Sequence, residues 1–180
     1  MTTRIVLLRG INVVGKRLLP MRELVSVLER DGFEEVRSYI QSGNVVLRSR
    51  QGTAAALARR IGALVRGSHG FEPQVLVLSV AELAAAVAAN PFAGADDNPK
   101  ALHLFFLAAT PPQPDLEALA ALRTGREGFA LKARVFYLHT PDGFPGSKLA
   151  ARAERLLGVA ATARNWRTVN KLLEIARARA

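Results

Sequence analysis

The sequence predicts an α+β protein, a ferredoxin-like βαββαβ unit followed by a second, related α+β lobe with a C-terminal helix. Three observations predict it. Short β-branched and aliphatic runs alternate with stretches of helical period in that order through the first half. Helix-starting and helix-stopping residues stand at the junctions. The second half then echoes the order in part, as β-α-β-β-α plus a terminal helix, with no residue-level repeat. The expected lobes are 1–79 and 80–180, or a single compact domain over 1–180.

Each element has its own signal. Residues 3–8 form an apolar run fit for a buried strand. A polar loop over 9–19 follows. Pro20 suits the first position of a helix that runs to about Asp31, with Met21, Leu24, Val25 and Leu28 on one face, and Gly32 stops it. Strands are expected over 36–40 and 45–48, with Ser42-Gly43-Asn44 as the tight turn between them. Thr53 caps a helix through about Val65, with Leu57, Ile61 and Val65 in phase. Val75–Leu78 completes the first unit. Ser79 caps the next helix, which stops at Asn90-Pro91-Phe92, because a residue before proline is driven out of the helical region. Beyond a polar loop, a strand over 102–107, a helix over 115–122, a strand pair over 129–132 and 135–139, a helix over 147–157 and a final helix over 164–179 are expected.

Composition narrows the classes of function. Of 180 residues, 49% are hydrophobic and 22% charged, so a core is available and disorder is not indicated. No apolar run approaches the length of a membrane helix, and the first residues resemble no leader peptide, so a cytoplasmic address without membrane partners is expected. Without cysteine there are no thiolate metal sites, disulfides or cysteine nucleophiles. His69, His103 and His139 stand in separate segments, and Asp96-Asp97 is an isolated acidic pair, so no metal site is expected. The net charge of +10 sits entirely in residues 1–20 and 147–180, while the stretch between them is neutral. If the two ends meet, they make one positive surface that attracts phosphates, nucleic acid or an acidic partner. The plainer alternative is an arginine-rich, alanine-rich composition spread over solvated faces.

Three segments carry candidate chemistry. Gly10-Ile-Asn-Val-Val-Gly15-Lys16 has the spacing of a phosphate-binding P-loop. The residue after Lys16 is Arg17 rather than a magnesium-binding hydroxyl, and the helix is expected to start only at Pro20, so P-loop hydrolysis is rejected. An anion-binding loop carrying Arg9, Asn12, Lys16 and Arg17 survives, against the alternative of a purely structural loop. On the terminal helix, Trp166, Val169, Leu172, Leu173 and Ala176 fall on one face and Arg164, Arg167 and Lys171 on the other. Ser147 beside Lys148 suggests a nucleophile pair, but adjacent helical residues do not face each other, and a cap is the better reading. The strands expected over 3–8 and 45–48 hold no aromatic residue, so base stacking on the sheet is not expected, and contact with a nucleic-acid backbone through the basic ends stays open.

The segment Leu7-Leu-Arg-Gly-Ile-Asn-Val-Val-Gly-Lys16, then Met21 and Ser38-Tyr-Ile-Gln-Ser-Gly-Asn44, closely resembles the opening of the bacterial domain of unknown function 1697 family. Asn90-Pro-Phe92, Ser147-Lys148 and Thr162-Ala-Arg-Asn-Trp-Arg-Thr-Val-Asn-Lys171 resemble its later signatures. Val14 departs from the family pattern, which often has a second glycine there, and a bulkier residue counts against a tight phosphate cradle. The resemblance implies a compact α+β fold built on ferredoxin-like units and supplies no activity or cofactor.

The leading expectation is an anion-binding protein whose ligand is a nucleotide, a phosphorylated metabolite or a nucleic-acid backbone. Arg9, Asn12, Lys16 and Arg17 would act with Arg164, Arg167 and Lys171, and Asn44 and Asn165 would be polar partners. The alternatives are an enzyme acting on a phosphorylated small molecule, with Lys16 or Lys148 as an electrostatic stabiliser, and an interaction or oligomerisation module without catalytic activity.

Overall fold

The computed structural model describes residues 1–13, 15–50 and 52–179. Its elements run β1 (Thr2–Arg9), α1 (Met21–Arg30), β2 (Glu34–Tyr39), β3 (Asn44–Ser49), α2 (Ala54–His69), β4 (Gln74–Ser79), α3 (Val80–Ala88), β5 (Leu102–Leu107), α4 (Leu116–Ala121), β6 (Gly128–Lys132), β7 (Val135–His139), α5 (Lys148–Leu157), β8 (Ala161–Asn165) and α6 (Trp166–Arg177). The chain divides into two compact units, one of Met1–Ala84 with Lys171–Ala180 and one of Ala85–Asn170. Among the described residues, no helix is long and apolar enough to cross a membrane.

In the first unit the sheet order is β2-β3-β1-β4, and every pairing is antiparallel. This is the expected βαββαβ arrangement. Alternate residues of β1 face opposite ways, so Val6 and Leu8 join Val45, Leu47 and Val77 under the helices. Met21, Leu24 and Leu28 of α1 and Leu57, Ile61 and Val65 of α2 close over them. On α1 the buried set includes Val27, while Val25 packs partly exposed beside it. The expected Thr53 cap is present, its hydroxyl accepting from the Ala56 amide at 3.2 Å. Pro20 occupies the N-cap position, one residue before the helix proper. On the other face, Ile5, Leu7 and Val46 are fully buried as well. There Thr3 donates its hydroxyl to the Arg179 carbonyl at 2.9 Å, tying the end of α6 to β1.

Ser79 does cap α3, as a reciprocal capping box. Its hydroxyl receives the Glu82 amide at 3.1 Å, and the Glu82 carboxylate receives the Ser79 amide at 2.8 Å.

The second unit has the order β6-β7-β5-β8, again antiparallel throughout. It is therefore a complete βαββαβ unit with the topology of the first. The expected final helix over 164–179 is corrected here: Ala161–Asn165 form strand β8, paired along β5, and the helix begins only at Trp166. Ala and Arg favour helix, but their propensities differ from those of other residues by only tenths of a kcal/mol, and pairing with β5 overrides them. Arg164 consequently lies on a strand and shares no helix face with Arg167 and Lys171. The apolar stripe Trp166, Val169, Leu172, Leu173 and Ala176 is buried as expected.

The Asn90-Pro91-Phe92 signature has a packing role. The Asn90 side-chain oxygen accepts from the Phe92 amide at 3.0 Å, and the Phe92 ring stacks on His139 at 5.3 Å. A side chain at Gly128 would meet that ring at 2.9 Å, so glycine leaves the space that Phe92 fills. Nearby, the buried Tyr137 hydroxyl donates to the Ala86 carbonyl at 2.7 Å, and burial pushes its pKa up to about 12.

His103 on β5 stacks on Phe144 at 3.8 Å, its Nδ1 buried without a hydrogen-bond partner. Burial pushes its pKa down to about 4 from 6.5. The folded protein thus keeps this imidazole neutral where the unfolded chain takes up a proton. Stability carried by His103 is complete above the unfolded value and is lost as pH falls from 6.5 towards about 4, by up to ~3 kcal/mol. Urea unfolding measured across that window is expected to show a shallower loss in His103→Phe than in the parent chain. Equal slopes would show that His103 does not carry the effect.

Candidate functional site

The loop between β1 and α1 is organised by one side chain. The Asn12 side-chain oxygen accepts from the Leu19 amide at 2.8 Å, and its Nδ2 donates to the carbonyls of Leu19 at 2.9 Å and Gln41 at 2.8 Å. Gln41 answers by accepting the Met21 amide at 3.3 Å. Between these anchors the chain doubles back, with Asn12 N–H on the Arg17 carbonyl at 3.1 Å and Lys16 N–H on the Val13 carbonyl at 3.0 Å. The loop, the 40–43 turn and the start of α1 are thus hydrogen-bonded together. Val14, which carries the departure from the family pattern, lies outside the described residues.

This geometry confirms that the P-loop spacing has no P-loop behind it. The amides of Asn12 and Lys16 are spent inside the loop, and α1 starts five residues after Lys16.

The expected site residues separate into different roles. Arg9 Nη1 donates to Gln74 Oε1 at 3.0 Å, its neighbour across the β1–β4 pair. Asn44 was expected in the turn, but it is the first residue of β3 and is fully buried. Its Nδ2 donates to the Tyr39 carbonyl at 3.1 Å and to Ser42 Oγ at 2.9 Å, which closes the turn. Asn12 and Asn44 therefore build the loop. Lys16 and Arg17 are exposed, and among the described residues neither forms an ion pair.

Arg164, Asn165 and Arg167 belong to the second unit and Lys171 to the first. Arg164 stands opposite Leu104 in the sheet and donates to the Ala163 carbonyl at 2.8 Å, and burial pushes its pKa down to about 10. Asn165 caps α6 by accepting the Thr168 amide at 2.9 Å. Arg167 is exposed, while Lys171 pairs with Glu174 at 2.7 Å. The expected three-cation helix face does not exist as such.

Ser147 is the cap of α5, accepting the Ala150 amide at 3.0 Å. It also lines a cleft of about 320 Å³ with Thr124, Glu127, Asp142 and neighbouring glycines. Burial works to raise the Glu127 pKa, but hydrogen bonds from Ser147 and from the amide and hydroxyl of Thr124 outweigh it and hold the carboxylate below its ordinary range. Its partners are those of a structural carboxylate. Asp96 likewise has a structural partner, the Trp166 indole N–H at 2.7 Å.

Three features escaped the sequence reading. Val13, Leu18 and Ile40 are 56%, 64% and 51% exposed, so apolar surface collects on the loop and turn that carry Lys16 and Arg17. Positive φ at Asn12, Arg17 and Ile40 places three non-glycine residues of this region in the left-handed backbone, which is unfavourable above all for β-branched Ile40. An open groove of about 440 Å³ is lined by Arg22, Glu23, Ser26, Val27 and Arg30 of α1 and Ser68 and His69 of α2. In it His69 Nε2 meets Glu23 at 3.0 Å, and Ser68 Oγ lies 2.8 Å from His69 Nδ1. The spacing of Arg22, Ser26 and Arg30, four residues apart, was the available signal for the groove.

The family described as "Protein of unknown function (DUF1697)" matches residues 1–137, and the chain belongs to that family. The chain is also similar to the conserved bacterial protein SP0830 from Streptococcus pneumoniae. The two are 25% identical with a TM-score of 0.67, and the match covers 97% of this chain and 98% of that one. No curated protein matches it.

Gly43 is the tightest point of the site. Its φ is +80°, its carbonyl accepts the Leu8 amide at 2.8 Å, and an added Cβ would lie 2.8 Å from the Leu8 carbonyl oxygen and 2.9 Å from Leu8 Cβ. Gly43→Ala is expected to cost about 2–4 kcal/mol in urea unfolding, from backbone strain plus overlap with neighbours that cannot yield. Gly15→Ala, at φ +71° with nothing within 4 Å, carries only the backbone part, about 1 kcal/mol. Similar costs at the two positions would contradict this packing.

Proposed function

We propose that this chain binds a phosphate-bearing anion through the loop over residues 9–17, with Lys16 and Arg17 as the direct contacts and Arg9 at the base of the loop. One observation carries the reading: two exposed cations that form no ion pair among the described residues stand on a loop held in a costly conformation. Unpaired surface arginines are ordinary by themselves. Here the hydrogen bonds of Asn12 and the left-handed backbone at Arg17 hold the segment in place before any ligand arrives, which lowers the ordering cost of binding. Asn12 and Asn44 are positioning residues in this reading. Arg164 is left out of it, as a half-buried strand residue that donates to the Ala163 carbonyl.

Titration with pyrophosphate and nucleoside triphosphates, followed by thermal shift and calorimetry, tests the proposal. Ligand at one hundred times its dissociation constant is expected to stabilise the fold by about 2.7 kcal/mol. The double variant Lys16→Ala, Arg17→Ala is expected to weaken binding at least about tenfold, since each charge-assisted hydrogen bond is worth about 1.5–3 kcal/mol. Both side chains are exposed, so the fold should be unaffected. Binding of equal strength in parent and variant would remove the loop from the function.

A further inference from the structure

We infer that the anion is a polymer: a nucleic-acid strand whose phosphates run from the Lys16–Arg17 loop along the outer face of α1, over Arg22 and Arg30. The inference rests on the anion-binding reading of the loop and extends it to a partner class.

Arg22, Ser26 and Arg30 are all exposed, four residues apart on one face of α1, so the backbone positions of the two arginines lie about 12 Å apart along the helix. They line the groove between α1 and α2. Among the described residues neither arginine forms an ion pair. Among the described residues, the carboxylate lining the groove is Glu23, which is engaged by His69 Nε2 at 3.0 Å. The loop leads directly into this helix, and Asn12 and Gln41 bind the residues at its start, Leu19 and Met21. Four cations therefore follow one another from the loop tip to the last turn of α1.

A small phosphorylated molecule is a poor fit to such a track. Small ligands are held by enclosing most of their surface. Here the cations are exposed and spread over more than the width of a nucleotide. A polyanion needs no enclosure, only a row of cations at which counterions are released. The chain's net charge of +10 assists its approach and opposes pairing with a second copy. Exposed Val13, Leu18 and Ile40 beside the loop offer apolar contact to sugars and base faces. No aromatic residue stands on β1 or β3, so the mode of binding is through the backbone and tolerant of sequence.

Fluorescence anisotropy with a labelled single-stranded oligonucleotide of about 20 residues, in salt from about 50 to 200 mM, tests this. Four phosphate contacts predict a slope of log K against log salt near −3, because single strands give about −0.7 per contact. Arg22→Glu with Arg30→Glu should weaken binding at least about tenfold and flatten the slope. Arg22→Gln with Arg30→Gln, melting like the parent, should flatten it as well. Arg59→Glu, an exposed α2 residue that does not line the groove, should have little effect. The track is overturned if the parent fails to bind, if the Arg22 and Arg30 variants bind like the parent, or if Arg59→Glu weakens binding equally, since bulk charge would then explain it. Pyrophosphate binding lost in Lys16→Ala, Arg17→Ala while Arg22 and Arg30 prove irrelevant leaves the loop reading standing and removes this one. Binding of both ligands indifferent to Lys16 and Arg17 removes the loop reading itself.

Discussion

The first unit's candidate site depends on the side chain of Asn12. Three hydrogen bonds from one amide hold the far end of the loop at Leu19 and the neighbouring turn at Gln41. A carboxylate in that place would accept from Leu19 but donate to neither carbonyl, and a hydroxyl has too few groups to reach all three. Asparagine also tolerates the left-handed backbone that Asn12 adopts at φ 53°. Gly43 supplies the complementary constraint, because only a residue without Cβ lets the turn approach Leu8 this closely. The loop's shape thus follows from two residues that carry no charge, and its cations are presented by a frame they do not help to build.

Much of the fold was legible because its signals are local. The Thr53, Ser79 and Ser147 caps and the proline break at Asn90-Pro91 each act within three or four residues, and each is found where the sequence places it. Strand β8 was not legible, because Ala-Thr-Ala-Arg-Asn carries little strand preference of its own and is extended by its pairing with β5, some sixty residues earlier. That single long-range pairing moved Arg164 off the helix. The family resemblance singled out Asn44 and Asn165 as signature residues, yet it could not say that Asn44 is interior or that Asn165 is a cap, since roles of that kind are set by where each strand begins and ends.

Charge was the least legible property. Net charge is a sum over residue types, whereas binding depends on charge that is exposed and uncompensated. Lys171 is compensated by Glu174, and Arg164 is buried deeply enough for its pKa to fall. Counting them with Lys16 overstated the positive surface at the chain's end. Arg22 and Arg30 were overlooked because the stretch that holds them is neutral overall, although Glu23 faces His69 and, among the described residues, neither arginine forms an ion pair.

The two units share one topology, and this separates what the fold requires from what it merely tolerates. In each, the first strand must be joined to the first helix. The second unit makes that connection over residues 108–115 with Ala-Ala-Thr-Pro-Pro-Gln-Pro-Asp, whose only charge, Asp115, caps α4 by accepting the Ala118 amide at 2.9 Å. The first unit makes it over residues 10–20 with two glycines, a latching asparagine, a strained Arg17 and no acid. A proline-rich connection without a cation therefore suffices for the architecture. The basic loop is longer, conformationally more costly and exposes apolar side chains to water, so stability alone gives no reason for it. A cost that the fold does not require is best accounted for by what the loop contacts, and its exposed Lys16 and Arg17 suit the anion proposed above.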